Sequence, residues 1–134
     1  MENKSNKEYI IDTNLLVSYF TKRNLTEWNI AQEKLLLLKK GLINIHLPSI
    51  IIAEVVYILS KQYDCSKTDL VNFLIAILTE EGIIAEDKHI SLSALEFFET
   101  ENLDFADCYL MACKDYYNLE LITFDKKLNN KAKK

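Results

Sequence analysis

The sequence predicts an α/β protein in which a mainly parallel central sheet lies between two layers of helices, a three-layer α/β/α arrangement. Short apolar runs alternate with longer amphipathic runs along the whole chain. The 134 residues fit one domain, and only Gly41, Pro48 and Gly82 interrupt the pattern, so no linker divides the chain. Strands separated by helices need crossover connections, which favour a parallel sheet.

The first elements alternate as this fold requires. Residues 9–11 predict a short strand that ends at Asp12, and residues 14–22 predict a helix. A longer helix is predicted over 27–40, because Gly41 follows its last lysines and is a typical helix stop.

The middle of the chain repeats the alternation. Residues 43–47 predict a second strand, and Pro48 fits the first turn of a helix that reaches about residue 62. Polar residues cap a helix predicted over 67–79, and a third strand follows over 83–85.

The last third of the chain predicts two helices, a strand and a final short helix. The helices span 91–99 and 104–117, and the apolar run 120–124 predicts a fourth strand. A short basic helix begins at Asp125. Asp12 and Asp125 would therefore both follow strands, and ligands of parallel sheets bind beyond the carboxyl ends of strands.

Composition and charge predict a soluble cytoplasmic protein. No apolar run is long enough to span a bilayer, and the amino terminus lacks a signal-like apolar stretch. We expect a single domain over 1–134, with a short disordered amino terminus at about 1–7 and a basic carboxyl-terminal tail at about 129–134. The net charge of −4 excludes general attraction to nucleic acid but not a local basic cluster. The lysines after Asp125 form such a cluster, or else a solvated, frayed tail.

Acidic residues stand at the predicted ends of several elements. Each has an ordinary structural explanation. Asp12, Asp104 and Asp125 fit helix N-caps, and Asp107 fits a first-turn carboxylate favoured by the helix dipole. Glu54 borders the apolar side of its helix, where a salt bridge from Lys61 would compensate its charge.

Taken together, these acids predict a site for a divalent cation. Several carboxylates converging on one place would repel each other unless a cation holds them. Ligation by oxygen alone suits Mg²⁺ or Mn²⁺. Such an ion activates water and neutralises charge on a phosphate, so a phosphodiester is the expected substrate. The sequence contains no Gly-rich phosphate loop and no Ser, His and Asp set at a recognisable spacing.

These stretches resemble the PIN-domain family of metal-dependent ribonucleases, and most closely its small VapC-like toxins. The resemblance runs from Tyr9 to about Leu128. It rests on four segments in order: Ile11-Asp12-Thr13-Asn14, Glu54 in the helix after Pro48, Phe105-Ala106-Asp107-Cys108, and Thr123-Phe124-Asp125-Lys126.

The resemblance implies a site, a cofactor and partners. The catalytic residues, which would also bind Mg²⁺ or Mn²⁺, are Asp12, Glu54, Asp107 and Asp125. Auxiliary roles fall to Asp104, Asn14 and Thr123. The family usually has Ala after its third acid, where this chain has Cys108. VapC-like toxins form homodimers and are neutralised by a cognate antitoxin, whose arm occupies a groove that Tyr19, Phe20 and Trp28 would line unless they pack in the core.

The function predicted from the sequence is a Mg²⁺- or Mn²⁺-dependent endoribonuclease, the toxin of a type II toxin–antitoxin pair, with Lys126 and Lys127 contacting the RNA backbone. Two alternatives stay open. One is a housekeeping nuclease in RNA processing, and the other is a non-catalytic binding module on a PIN scaffold, in which the acids serve as caps and salt bridges.

Overall fold

In a computed structural model of the chain, which describes residues 5–133, seven helices are interspersed with three strands. The strands are β1 (Lys7–Ile10), β2 (Ile43–His46) and β3 (Ile83–Ile84). The helices are α1 (Thr13–Thr21), α2 (Leu25–Lys39), α3 (Ser49–Lys61), α4 (Lys67–Leu78), α5 (Lys88–Thr100), α6 (Phe105–Tyr117) and α7 (Lys126–Ala132). The predicted three-layer α/β/α arrangement is confirmed.

The strands form a parallel sheet in the order β1-β2-β3. Tyr9 lies opposite Ile45, which in turn lies opposite Ile83. Because all three strands run the same way, their carboxyl ends share one edge of the sheet. The chain leaves β1 at that edge and reaches Asp12 two residues later.

A single apolar core joins the sheet to the helices. In β2, Ile43 and Ile45 are buried while Asn44 and His46 are half-buried, as alternation along a strand requires. Helix α3 packs against α1, α4 and α6. It therefore carries Glu54 between the segment that contains Asp12 and the helix that contains Asp107.

Gly82 allows the backbone just before β3 to lie close to α2 and β2. A Cβ atom there would lie 2.7 Å from Leu38 Cδ1 and 2.8 Å from the Ile43 carbonyl oxygen. Only glycine fits without a shift of these neighbours. Gly82 thus allows the turn to pack directly on α2 and β2.

The predicted fourth strand is wrong. The chain leaves α6 through Asn118, which adopts a left-handed conformation with φ 56°, and residues 119–125 form no regular structure. Ile122 and Phe124 are almost completely exposed. A strand needs a paired neighbour and a face to bury, and this stretch has neither among residues 5–133. Asp125 therefore does not follow a strand.

The ends of the chain are described in part. Residues 1–4 of the predicted disordered amino terminus lie outside the described residues, and Lys7 already belongs to β1. Most of the predicted basic tail lies in α7, which ends at Ala132, and residue 134 is again outside the described part.

Candidate metal centre

Asp12 is the N-cap of α1 and keeps one carboxylate oxygen free. Its Oδ1 accepts a hydrogen bond from the Leu15 backbone N–H at 3.2 Å. This is the capping alternative that the sequence left open, but it engages one oxygen only. The exposed Asp12 side chain therefore combines a structural role with the capacity to bind a cation.

A hydrogen bond links the start of α1 to Glu54 on α3. The buried Thr13 donates its hydroxyl to Glu54 Oε1 at 2.8 Å. Glu54 itself is exposed, although the sequence indicated the border of the core. No salt bridge joins Glu54 to Lys61 within residues 5–133, so the compensating charge that the sequence offered for this carboxylate is not used.

Asn14 and Thr123 make contacts of their own. Asn14 Oδ1 accepts a hydrogen bond from Arg23 Nη2 at 3.2 Å, which ties it to the end of α1. Thr123 Oγ1 accepts a hydrogen bond from the Asp125 backbone N–H at 3.0 Å and fixes the approach to the last acid. Auxiliary roles for both residues stay predictions.

The acids near the site are named here as two groups. The first group is Asp12 and Glu54, which the Thr13–Glu54 hydrogen bond links, and the second group is Asp104, Asp107 and Asp125, with Asp107 in the first turn of α6. Burial raises the pKa of the Asp107 carboxyl, and the negative charges of Asp125 and Asp104 raise it further. A carboxyl group with a raised pKa is one whose charge lacks compensation. Asp104, Asp107 and Asp125 also line one cavity of about 770 Å³.

Asp125 and Asp104 differ in whether their side chains cap the helices that follow them. Asp125 Oδ1 accepts a hydrogen bond from the Leu128 backbone N–H at 3.0 Å and caps α7. Asp104 stands at the N-cap position of α6, but its side chain makes no capping hydrogen bond. Its carboxylate is thus unused by the helix that it precedes.

The four predicted ligands do not line one common cavity. Asp12 lines a separate groove of about 560 Å³ beside β1, whereas Asp107 and Asp125 line the larger cavity. Among residues 5–133, no three Asp, Glu, His or Cys side chains lie close enough together to coordinate one ion. Simultaneous coordination by all four acids would therefore require the two groups to approach each other.

The donor set nevertheless fits a hard divalent cation. None of Asp12, Glu54, Asp107 and Asp125 forms an ion pair within the described part of the chain, where the ion pairs involve other residues. Each keeps at least one carboxylate oxygen free of protein hydrogen bonds. Uncompensated carboxylates supply the oxygen ligands that Mg²⁺ and Mn²⁺ prefer.

Some contacts near the site were not predicted. The Thr13–Glu54 hydrogen bond was missed, because the two residues lie 41 positions apart and no local pattern links them. Tyr57, which lines the large cavity, was also missed. The sequence could have indicated Tyr57, because it follows Glu54 by three residues and so lies on the same side of the helix. The aromatic residues offered for a partner pack on one another instead: Tyr19 stacks on Trp28, and both Tyr19 and Phe20 contact Phe73.

The fold and this acidic site define a class of protein. The family model of the PIN domain matches residues 9–134, and the chain belongs to the PIN domain family. Members of this family are generally nucleases that act on RNA and need divalent metal ions. Neither a curated protein nor a solved structure matches the chain. No helix within residues 5–133 is both long and apolar enough to cross a bilayer.

Proposed function

We propose that this chain is an endoribonuclease that depends on Mg²⁺ or Mn²⁺ and hydrolyses RNA phosphodiester bonds. The observation that carries the proposal is a set of acids without compensating cations in a PIN domain. The strongest sign is the raised pKa of Asp107 beside Asp104 and Asp125. Such a set is unfavourable for stability alone, which favours a functional reason for it.

The residues divide the work as follows. Asp12, Glu54, Asp107 and Asp125 would hold the cation, and the Thr13 hydroxyl would orient the Glu54 carboxylate through its hydrogen bond. When bound, such an ion would supply activation of a water molecule and offset negative charge on the phosphate. Lys126 and Lys127, which are exposed at the start of α7 beside Asp125, attract the RNA backbone.

The finer proposal is that this nuclease is the toxin of a toxin–antitoxin pair and acts in the cytoplasm as a homodimer. It is supported by the resemblance to VapC-like toxins. Expression without any partner should arrest growth, and the Asp12→Asn variant should relieve the arrest. Normal growth during expression of an RNA-cleaving protein would instead favour the housekeeping nuclease.

The activity itself is tested with Asp12→Asn. Asparagine is as good an N-cap as aspartate, so α1 keeps its start while the site loses one charge. Purified protein should cleave RNA in Mg²⁺ or Mn²⁺ and stop on addition of a chelator. The variant should lose cleavage by at least about 100-fold with an unchanged melting temperature.

A matched control is Glu33→Gln, which removes one negative charge from an exposed position on α2. It should cleave RNA at the parent rate. Full activity of Asp12→Asn, or equal loss in both variants, would contradict the proposal.

The non-catalytic binding module is the second candidate, because no three acids lie within coordination distance in the described residues and two of the acids cap helices. Calorimetric titration with Mn²⁺ separates the candidates. Binding of Mn²⁺ that Asp107→Asn abolishes supports the nuclease. Absence of both Mn²⁺ binding and RNA cleavage supports the module.

A further inference from the structure

The cavity that Asp104, Asp107 and Asp125 line also has a second wall, to which none of the predicted metal ligands on α6 contributes. This wall is formed by α3 and by the start of α7. Three of its exposed side chains have no hydrogen bond, ion pair or ring contact within residues 5–133: Tyr57, Lys61 and Lys127. The cavity volume, about 770 Å³, is within the range of small-molecule sites in proteins.

Tyr57 presents a free aromatic ring to this cavity. The side chain is 61% exposed and has neither a hydrogen bond nor a ring contact within residues 5–133. Tyr116 on α6 is similarly exposed at 59%, but its ring packs edge-on against Tyr117 with 5.0 Å between centroids. The exposed part of the Tyr57 ring is thus available to a planar ligand, one helical turn from Glu54.

Ser60 lines the same wall but offers a ligand no polar contact. Its Oγ is buried and has no hydrogen-bond partner within residues 5–133, and an atom without accessible surface cannot be reached from the cavity. Tyr57 and the lysines are therefore the groups of this wall that a ligand could contact.

Two lysines supply positive charge around this wall. Lys61 and Lys127 line the cavity and have no ion pair or hydrogen bond within the described part of the chain. Lys67 also lines it, but the fold uses that residue: its Nζ donates to the Glu101 carbonyl at 3.2 Å and lies 4.7 Å from the Phe98 ring. Unpaired lysines beside an aromatic ring are suited to phosphates that flank a base.

We propose that this cavity receives an unstacked nucleobase of single-stranded RNA next to the scissile phosphate. Tyr57 stacks on the base, and Lys61 and Lys127 bind the neighbouring phosphates. The proposal rests on the proposed ribonuclease function and names the residues that contact the base beside the cleavage site. A base inside a duplex has both faces covered by its neighbours and cannot reach Tyr57, so binding through this cavity requires an unpaired base.

The test measures binding without catalysis. A fluorescently labelled single-stranded RNA of about 12 nucleotides, and the same strand annealed to its complement, are titrated with protein in EDTA at low salt and followed by anisotropy. Tyr57→Ala should raise the dissociation constant for the single strand about tenfold, since one stacked base contributes that much. Tyr57→Phe should restore binding, because the ring and not the hydroxyl stacks.

Tyr116→Ala is the matched control, as it removes an equally exposed tyrosine outside the cavity. It should bind RNA like the parent protein. Lys61→Ala and Lys127→Ala should each weaken binding and reduce the salt dependence by about one phosphate contact, whereas Lys40→Ala, at the exposed end of α2, should change neither.

Several results would overturn the pocket. They are unchanged binding by Tyr57→Ala, equal losses in Tyr57→Ala and Tyr116→Ala, equal affinity for duplex and single strand, or no RNA binding by the parent protein. The nuclease proposal fails separately. If RNA binding depends on Tyr57 but the protein never cleaves RNA, the base pocket is supported and the nuclease proposal is rejected. If the protein cleaves RNA and neither binding nor cleavage depends on Tyr57, the nuclease proposal is supported and the base pocket is rejected.

Discussion

The two groups of acids are built in different ways. The first group, Asp12 and Glu54, lies on α1 and α3 and is held by the Thr13–Glu54 hydrogen bond next to the sheet. The second group consists of Asp104 and Asp107 at the start of α6 and Asp125 just before α7, and burial together with the charges of its two neighbours raises the pKa of Asp107. The stretch that leads to Asp125 forms no strand.

This difference suggests how a cation would act on the protein. In the first group each carboxylate accepts one hydrogen bond from the fold, Glu54 from the Thr13 hydroxyl and Asp12 from the Leu15 backbone N–H. The second group carries unfavourable electrostatic energy, and its last member follows a stretch without regular structure. A cation held by both groups would offset the negative charge around Asp107. The first group would then supply ligands whose positions are already fixed, whereas the second group would supply ligands that adjust to the ion.

The largest expected effect is the loss of metal binding when either group is changed. Asp12→Asn and Asp107→Asn should each abolish cleavage and lower Mn²⁺ affinity by at least about 100-fold, as measured by calorimetry. If one ion bridges both groups, the double variant should be no worse than either single variant. Additive losses would indicate two independent sites and would break the proposed link between the groups.

A smaller effect is expected from the hydrogen bond that orients the first group. Thr13→Val keeps the shape of the buried side chain but removes the donor to Glu54 Oε1. Loss of such a supporting contact typically weakens metal binding about tenfold. Calorimetry with Mn²⁺ measures the change, and Thr13→Ser, which keeps the hydroxyl, serves as the control. Equal affinities in the Val and Ser variants would show that the hydrogen bond does not prepare Glu54.

The smallest effect concerns the stability of the metal-free protein. Because the pKa of Asp107 is raised in the folded state, ionisation of this carboxyl opposes folding. Asp107→Asn should therefore slightly raise the melting temperature of the metal-free protein at pH 7.

The sign of the pH dependence follows from the same shift. The folded state binds the Asp107 proton more tightly than the unfolded state, so its contribution to stability falls as pH rises through the raised pKa. The advantage of Asp107→Asn should thus vanish at a pH below both values, where the carboxyl is protonated in both states. Thermal melts across pH with a chelator measure this, and a variant less stable than the parent at pH 7 would contradict the repulsion.

Much of the fold follows from local pattern. The alternation of apolar and amphipathic runs predicted three strands and seven helices within a few residues of their positions, since periodicity and caps act over one or two turns of chain. The exception is 120–124, whose apolar residues favour a strand in isolation. A strand is stable only when it pairs with a neighbouring strand, and no local sequence signal indicates whether the sheet has an edge with which residues 120–124 can pair.

The sequence by itself determined the fold class, the family and the identity of the candidate ligands, because these depend on residue types at fixed spacings along the chain. Only the tertiary structure decided how the acids group, that Thr13 bonds Glu54, and that Tyr57 and Ser60 share a cavity with Asp107. The reason is physical: distances between residues far apart in the chain are set by how helices pack, and that packing is a property of the whole core.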